Sequence, residues 1–295
     1  MSDLLIRGTA CQEEVRFVAA ITDETVEEAR RIHDCSPLCT AALGRLLTAG
    51  AMMGALHKNE EDRLTLKIDG DGPIRQLTVC ADACGQVRGL MYDPKVDLPL
   101  KENGHLDVGG GIGRGTLTVI QDMGLKEPYS GQIPLVSGEI GEDLTAYFAE
   151  SEQIPSSVGV GVLVGRDGHV LHAGGFLIQL LPFASEETIS SLEQNLSRMH
   201  SVTDCLSEGD GAEELIRRLL PDARVEQSSG VAYHCSCDRS RVEKALLSLG
   251  RSELDKMIAE GKDVTLHCDF CNKDYLFTVP EIRQLMVPPP STVSP

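Results

Sequence analysis

Positive charge is scarce in this 295-residue chain: 27 Lys and Arg stand against 45 Asp and Glu, a formal net charge of −18. So acidic a chain is repelled by nucleic acid unless one local surface is basic. The stretch from His234 to Pro295 carries nine acidic and eight basic residues, so it offers no cationic phosphate-binding face. A run of eighteen apolar residues is also missing, which argues against a membrane-spanning helix. Met1-Ser-Asp-Leu-Leu-Ile-Arg7 lacks the basic start and apolar stretch of a secretory signal, so the expected location is the cytoplasm. Catalytic signatures are lacking too. There is no Gly-x-Ser-x-Gly elbow. Gly109-Gly-Gly-Ile-Gly-Arg-Gly115 misses both nucleotide fingerprints and runs into the β-rich Thr116-Leu-Thr-Val-Ile120, so it reads as a hairpin or bulge. The chain is expected not to be an enzyme. Tryptophan is absent, yet 41% of residues are apolar, enough for a globular protein of more than one domain.

What is present is cysteine, ten in all. In a reducing cytoplasm they should be thiols or metal ligands, not standing disulfides. Four form two close pairs, Cys235-Ser-Cys237 and Cys268-Asp-Phe-Cys271, with thirty residues between Cys237 and Cys268. Each pair offers two thiolates to one ion, and four thiolates close a tetrahedral shell around zinc. A closed shell leaves no place for water or substrate, so one structural Zn2+ is expected on Cys235, Cys237, Cys268 and Cys271. The same crowded thiolates are oxidation targets, and joining them would destroy the metal site. A purely structural zinc-ribbon binding module is the alternative to a redox switch. His234 and His267 adjoin the quartet but are not needed to complete it. Cys35-x-x-x-Cys39 and Cys80-x-x-x-Cys84 read as small apolar packing positions. Cys11 and Cys205 are isolated, Cys205 being the one expected at the surface.

The expected fold class is α+β. Residues 1–182 read as an N-terminal α/β core domain with β-hairpins, the first formed by Leu4–Cys11 and Val15–Thr22, and a buried helix from Ser36-Pro37 to about Leu56. Residues 183–230 hold ten acidic and four basic residues and read as an acidic helical linker. Its helices are short, with apolar stripes at Ile189, Leu192, Leu196 and Met199 and at Leu215, Ile216, Leu219 and Leu220, and they need a partner surface to persist. Residues 231–287 form a small C-terminal zinc-binding domain. Ser240-x-x-Glu243 and Thr278-x-x-Glu281 are capping-box patterns there, and the second cysteine pair sits in a hairpin. Residues 288–295 read as a disordered tail.

The cysteine spacing resembles that of the bacterial redox-regulated holdase chaperones, the heat-shock protein thirty-three family. The likeness extends to Lys67-Ile-Asp-Gly-Asp-Gly-Pro-Ile74, Ser156-Ser-Val-Gly-Val-Gly-Val-Leu-Val164, Ala173-Gly-Gly-Phe-Leu-Ile-Gln-Leu-Leu-Pro182 and His267-Cys-Asp-Phe-Cys-Asn-Lys-Asp-Tyr-Leu-Phe277. It implies an ATP-independent chaperone that is inactive while reduced and zinc-bound. Oxidation would join Cys268 to Cys271 and Cys235 to Cys237, release zinc, and unfold the C-terminal domain and the linker. The implied partners are unfolded client proteins, with a homodimer when active, and neither nucleic acid nor membrane. Cys11, Cys35, Cys39, Cys80, Cys84 and Cys205 lie outside the family's pattern.

Overall fold

The computed structural model describes residues 2–286, in two compact units divided between His234 and Cys235. The tail read at 288–295 lies outside the described residues. In chain order the first unit holds β1 (Leu4–Ala10), β2 (Val15–Ile21), α1 (Asp23–His33), α2 (Pro37–Gly54), β3 (Arg63–Gly70), β4 (Gln76–Asp82) and β5 (Gln86–Met91). There follow α3 (Val108–Ile112), β6 (Gly115–Asp122), β7 (Tyr129–Pro134), α4 (Gly141–Tyr147), β8 (Ser156–Val164) and β9 (Val170–Leu180). The unit ends with α5 (Glu186–Arg198), α6 (Val202–Ser207), α7 (Ala212–Leu219), β10 (Arg224–Gly230) and β11 (Ala232–Tyr233). The second unit contains α8 (Arg239–Leu247), α9 (Arg251–Glu260), β12 (Val264–Cys268), β13 (Lys273–Phe277) and α10 (Val279–Leu285). This is the α+β class expected from the sequence.

Two sheets organise the first unit. One runs β10-β1-β2-β9-β8 and the other β11-β5-β4-β3-β6-β7. All pairings are antiparallel except β11 on β5. Helix α2 is buried along nearly its whole length and packs against strands of both sheets. Ser36 caps it by accepting the Cys39 amide, and Pro37 supplies the preset first turn. Small residues let the sheets come close: a Cβ on Gly50 would stand 2.7 Å from a Val79 methyl.

The central strands β1, β2 and β9 of the five-stranded sheet are buried on both faces, and period-two alternation divides their side chains. Leu5, Val18, Ala20 and Leu177 join the main core with α2, whereas Ile6, Ala10, Val15, Phe17, Ala19, Phe176 and Ile178 point the other way. That second face is covered by α5, α6 and α7 through Leu192, Val202, Leu206, Leu215, Ile216 and Leu219. The covering segment begins at Phe183, a fully exposed aromatic with a left-handed φ of 73°.

Three local expectations are corrected. The glycine run does not form a hairpin or bulge: its first residues wind into α3, because the Asp107 carboxylate caps the Gly110 amide. Helix α8 starts at Asp238, not Ser240, since the Asp238 carboxylate accepts the Arg241 amide. Residues 183–230 contain a strand, β10, besides their helices.

Candidate metal centre

The second unit builds its site from a hairpin and a helix start. β12 and β13 pair from Val264 opposite Phe277 to Cys268 opposite Lys273. Beyond Cys268 the chain turns tightly: the Cys271 and Asn272 amides both donate to the Cys268 carbonyl, at 3.2 and 2.8 Å. Asn272 takes the left-handed conformation (φ 52°) that asparagine tolerates. This knuckle aims both sulfurs to one side. The other pair precedes α8, where Asp238 caps the helix and Arg241 reaches back to the Ser236 hydroxyl at 2.7 Å. Leu246, Leu254, Phe277 and Ile282 are the only fully buried apolar side chains beneath the site among the described residues. Arg239 lies over the Phe277 ring at 4.5 Å.

All four cysteine sulfurs converge. Cys235 Sγ lies 3.8 Å from Cys268 Sγ, Cys237 Sγ lies 3.2 Å from Cys271 Sγ, and the four are within 4.8 Å of one another. Sulfurs about 2.3 Å from a tetrahedral zinc are about 3.8 Å apart, so the donor type, number and spacing fit that ion. No second cluster of this kind occurs among the described residues. His267 does not join it: its imidazole contacts the carboxylate of Asp274 at 2.7 Å and the side chain of Asn272 at 3.3 Å.

The thiols are not equivalent. Burial alone would raise Cys237, but contacts from the Tyr275 hydroxyl and the neighbouring thiols outweigh it and bring it down to about 7. Cys235 and Cys271 move upward, first through burial and then through hydrogen bonds with the neighbouring thiols. Tyr275, 3.2 Å from Cys237 Sγ, was not a candidate from sequence, because only the β12–β13 register carries it there.

The remaining cysteines lie elsewhere, and all ten are free thiols. Cys35 and Cys39 are core residues, with burial pushing Cys35 up to about 12. The Cys39 thiol donates to the Asp93 and Val96 carbonyls, at 3.4 Å each. Cys80 meets the Thr65 hydroxyl at 3.7 Å, and Cys84 is exposed. Cys205 is not at the surface as expected: it is wholly buried where α6 packs on the five-stranded sheet.

The family model described as "Hsp33 protein" matches residues 3–278. The 33 kDa chaperonin of Agathobacter rectalis is 49% identical over 287 residues, which cover 97% of this chain and 100% of that one. The 33 kDa chaperonin of Lachnoclostridium phytofermentans is 50% identical over 288 residues, covering 97% and 99%. Among solved structures, the crystal structure of the 33 kDa chaperonin from Thermotoga maritima superposes with a TM-score of 0.89 at 39% identity, covering 97% of this chain and 98% of that one.

Proposed function

The chain belongs to the Hsp33 family, and on that premise we propose how its residues carry out the work of a redox-regulated, ATP-independent holdase chaperone. Cys235, Cys237, Cys268 and Cys271 hold one zinc ion in the reduced, inactive protein. When bound, the ion would neutralise part of the charge of the four thiolates and so tie the helix start to the hairpin. The observation that carries this reading is the convergence of four sulfurs within 4.8 Å in a unit with only four fully buried apolar side chains among the described residues.

Oxidation balances as two two-electron steps. The Cys268 and Cys271 thiolates give two electrons to one hydrogen peroxide, which takes two protons from solvent, so that one disulfide forms and two waters leave. Cys235 and Cys237 do the same with a second peroxide; hypochlorite serves equally, yielding chloride and water. Each disulfide removes two thiolates, so the metal is released and the second unit loses its centre. Helices α5 to α7 are short and persist only through the face they cover. Their release uncovers Ile6, Phe17, Ala19, Phe176 and Ile178 on the five-stranded sheet, an apolar surface for an unfolding protein. We assign 1–182 as the core domain, 183–230 as the releasable linker and 231–287 as the redox domain.

The activity is capture without turnover, so the protein is not an enzyme. Its partners are unfolded clients in the cytoplasm, and the active form is a homodimer. Neither nucleic acid nor membrane enters, in keeping with the net charge of −18. No described helix is long and apolar enough to cross a membrane.

The test is light scattering from a heat-unfolding client, with the protein added either reduced and zinc-loaded or peroxide-oxidised. Suppression by the oxidised form alone, reversed by a thiol reductant, is expected. Equal behaviour of the two forms would leave the quartet as a structural zinc ribbon without redox gating.

A further inference from the structure

Both sheets of the first unit are closed along one edge by a strand from the chain that follows α7: β10 lies on β1 and β11 on β5. β10 pairs with β1 from Leu4 opposite Gly230 to Thr9 opposite Arg224, with a bulge between Arg7 and Gly8. All seven residues of β10 are exposed. It buries no side chain, so main-chain hydrogen bonds hold it in place. Two side-chain ties, Arg7 to Gln227 at 2.6 Å and Thr9 to Glu226 at 2.9 Å, are solvent-exposed and contribute little net stability.

β1 is different. Its Leu5, Ile6 and Ala10 are buried in the two cores, and β2 fixes it in unbroken register from Leu4 opposite Ile21 to Ala10 opposite Val15. It is a rigid template with one edge occupied by a replaceable strand. At its centre, a Cβ on Gly8 would stand 1.9 Å from the Arg224 carbonyl oxygen, so glycine there lets a partner backbone approach closely. An uncovered edge of this kind is a ready site for strand addition, in which main-chain bonds supply affinity whatever the sequence.

Resting on the function proposed above, we infer that the β1 edge vacated by β10 is a strand-acceptor site for the client, taking an extended, proline-free stretch of unfolded polypeptide. An unfolded chain always offers unpaired main-chain N–H and C=O groups, whatever protein it comes from. The polar, fully exposed β10 is the resting occupant of that site. Alternate side chains of the added strand would lie beside the apolar face carrying Ile6, Phe17 and Phe176.

Hydrogen exchange on the full-length protein tests this, run beside the light-scattering assay. Oxidation should deprotect the β1 amides that face β10 while those bonded to β2 stay protected. An unfolded client should then restore protection by roughly tenfold or more. As a second readout, an octapeptide of alternating threonine and valine should bind the oxidised protein roughly tenfold or more tightly than its fully N-methylated form. Aggregation suppressed while the β1 edge stays closed, or stays open with client bound, would overturn the edge site alone. Equal binding of the two peptides would do the same. Protection that returns without client as protein concentration rises would assign the edge to a second copy and overturn the proposal. An oxidised protein that fails to suppress aggregation would remove both the edge site and the function it rests on.

Discussion

At the scale of single residues, one turn contacts both ends of the helical segment that covers the five-stranded sheet. The β1–β2 turn sets Cys11, Gln12 and Glu13 at positive φ in succession, and its flanks grip both ends of the helical segment. The Cys11 amide donates to Asp222 at 2.9 Å, after α7. The Glu14 carboxylate accepts the Ser185 amide at 3.1 Å, the Ser185 hydroxyl at 2.8 Å and the Thr188 hydroxyl, at the start of α5. These donors, Thr188 foremost, hold Glu14 below its ordinary value of 4.5. A carboxylate lowered in the folded state stabilises fully above its unfolded pKa, and that contribution is lost as pH falls through the folded value. Acidification below about pH 4.5 should therefore loosen the start of α5. Glu14→Gln should do so at neutral pH, seen as faster protease cleavage near Phe183 in the reduced protein, with the cleavage rate losing its acid dependence. A second residue-scale expectation concerns Tyr275. Groups that contact a metal ligand tune affinity by 10- to 100-fold. Tyr275→Phe should weaken zinc retention against a chelator by about tenfold while leaving one zinc per chain at saturation. Unchanged retention would show that the hydroxyl at 3.2 Å from Cys237 does not tune the site.

At the scale of elements, α7 packs on β1, β2 and β9 of the five-stranded sheet. Leu215, Ile216 and Leu219 are wholly buried there. Truncating a buried leucine to alanine costs about 2–5 kcal/mol through lost transfer energy and the cavity left behind. Here that loss falls on docking, because α7 does not persist alone. Leu215→Ala should make the reduced, zinc-loaded protein bind an apolar dye and suppress client aggregation in part. A variant as silent as wild type while reduced would show that docking has stability to spare.

The same scale shows what a sequence reveals. The β1–β2 hairpin was legible because its apolar residues alternate, and α2 because a stretch dominated by small and aliphatic residues, Leu38 to Gly54, follows Ser36-Pro37. The cap at Thr278 was legible from its side-chain chemistry. β10 was not: Arg224-Val-Glu-Gln-Ser-Ser-Gly230 buries nothing, so no hydrophobic period marks it, and only the free edge of β1 makes it a strand. Glycines masked α3, whose signal was Asp107 before them. The acidity around Cys205 suggested exposure, yet α6 turns it onto the sheet. The four-cysteine cluster was legible because each cysteine pair is local in sequence. Its Tyr275 contact depends on register and was not.

At the scale of the whole molecule, the two units differ in what keeps them folded. The first has two aliphatic cores sharing a five-stranded sheet. The second has four fully buried apolar side chains among its described residues, too little core for a unit of its size to persist without a staple. Structural zinc contributes on the order of 10 kcal/mol or more in such modules, comparable with the stability of a whole domain. On the proposed function the fold of the second unit depends on the four thiols, whereas the strands that build the first unit's two cores do not. A strong zinc chelator with excess reductant should separate these dependences without forming any disulfide. Amides of β12, β13 and α8 to α10 should then exchange freely, while those of β2, β9 and β3 keep their protection, and added zinc should restore the original pattern. Persistent protection across β12 and β13 after metal removal would mean that the four sulfurs do not hold this unit together. Oxidation would then have no unfolding step through which to reach the linker.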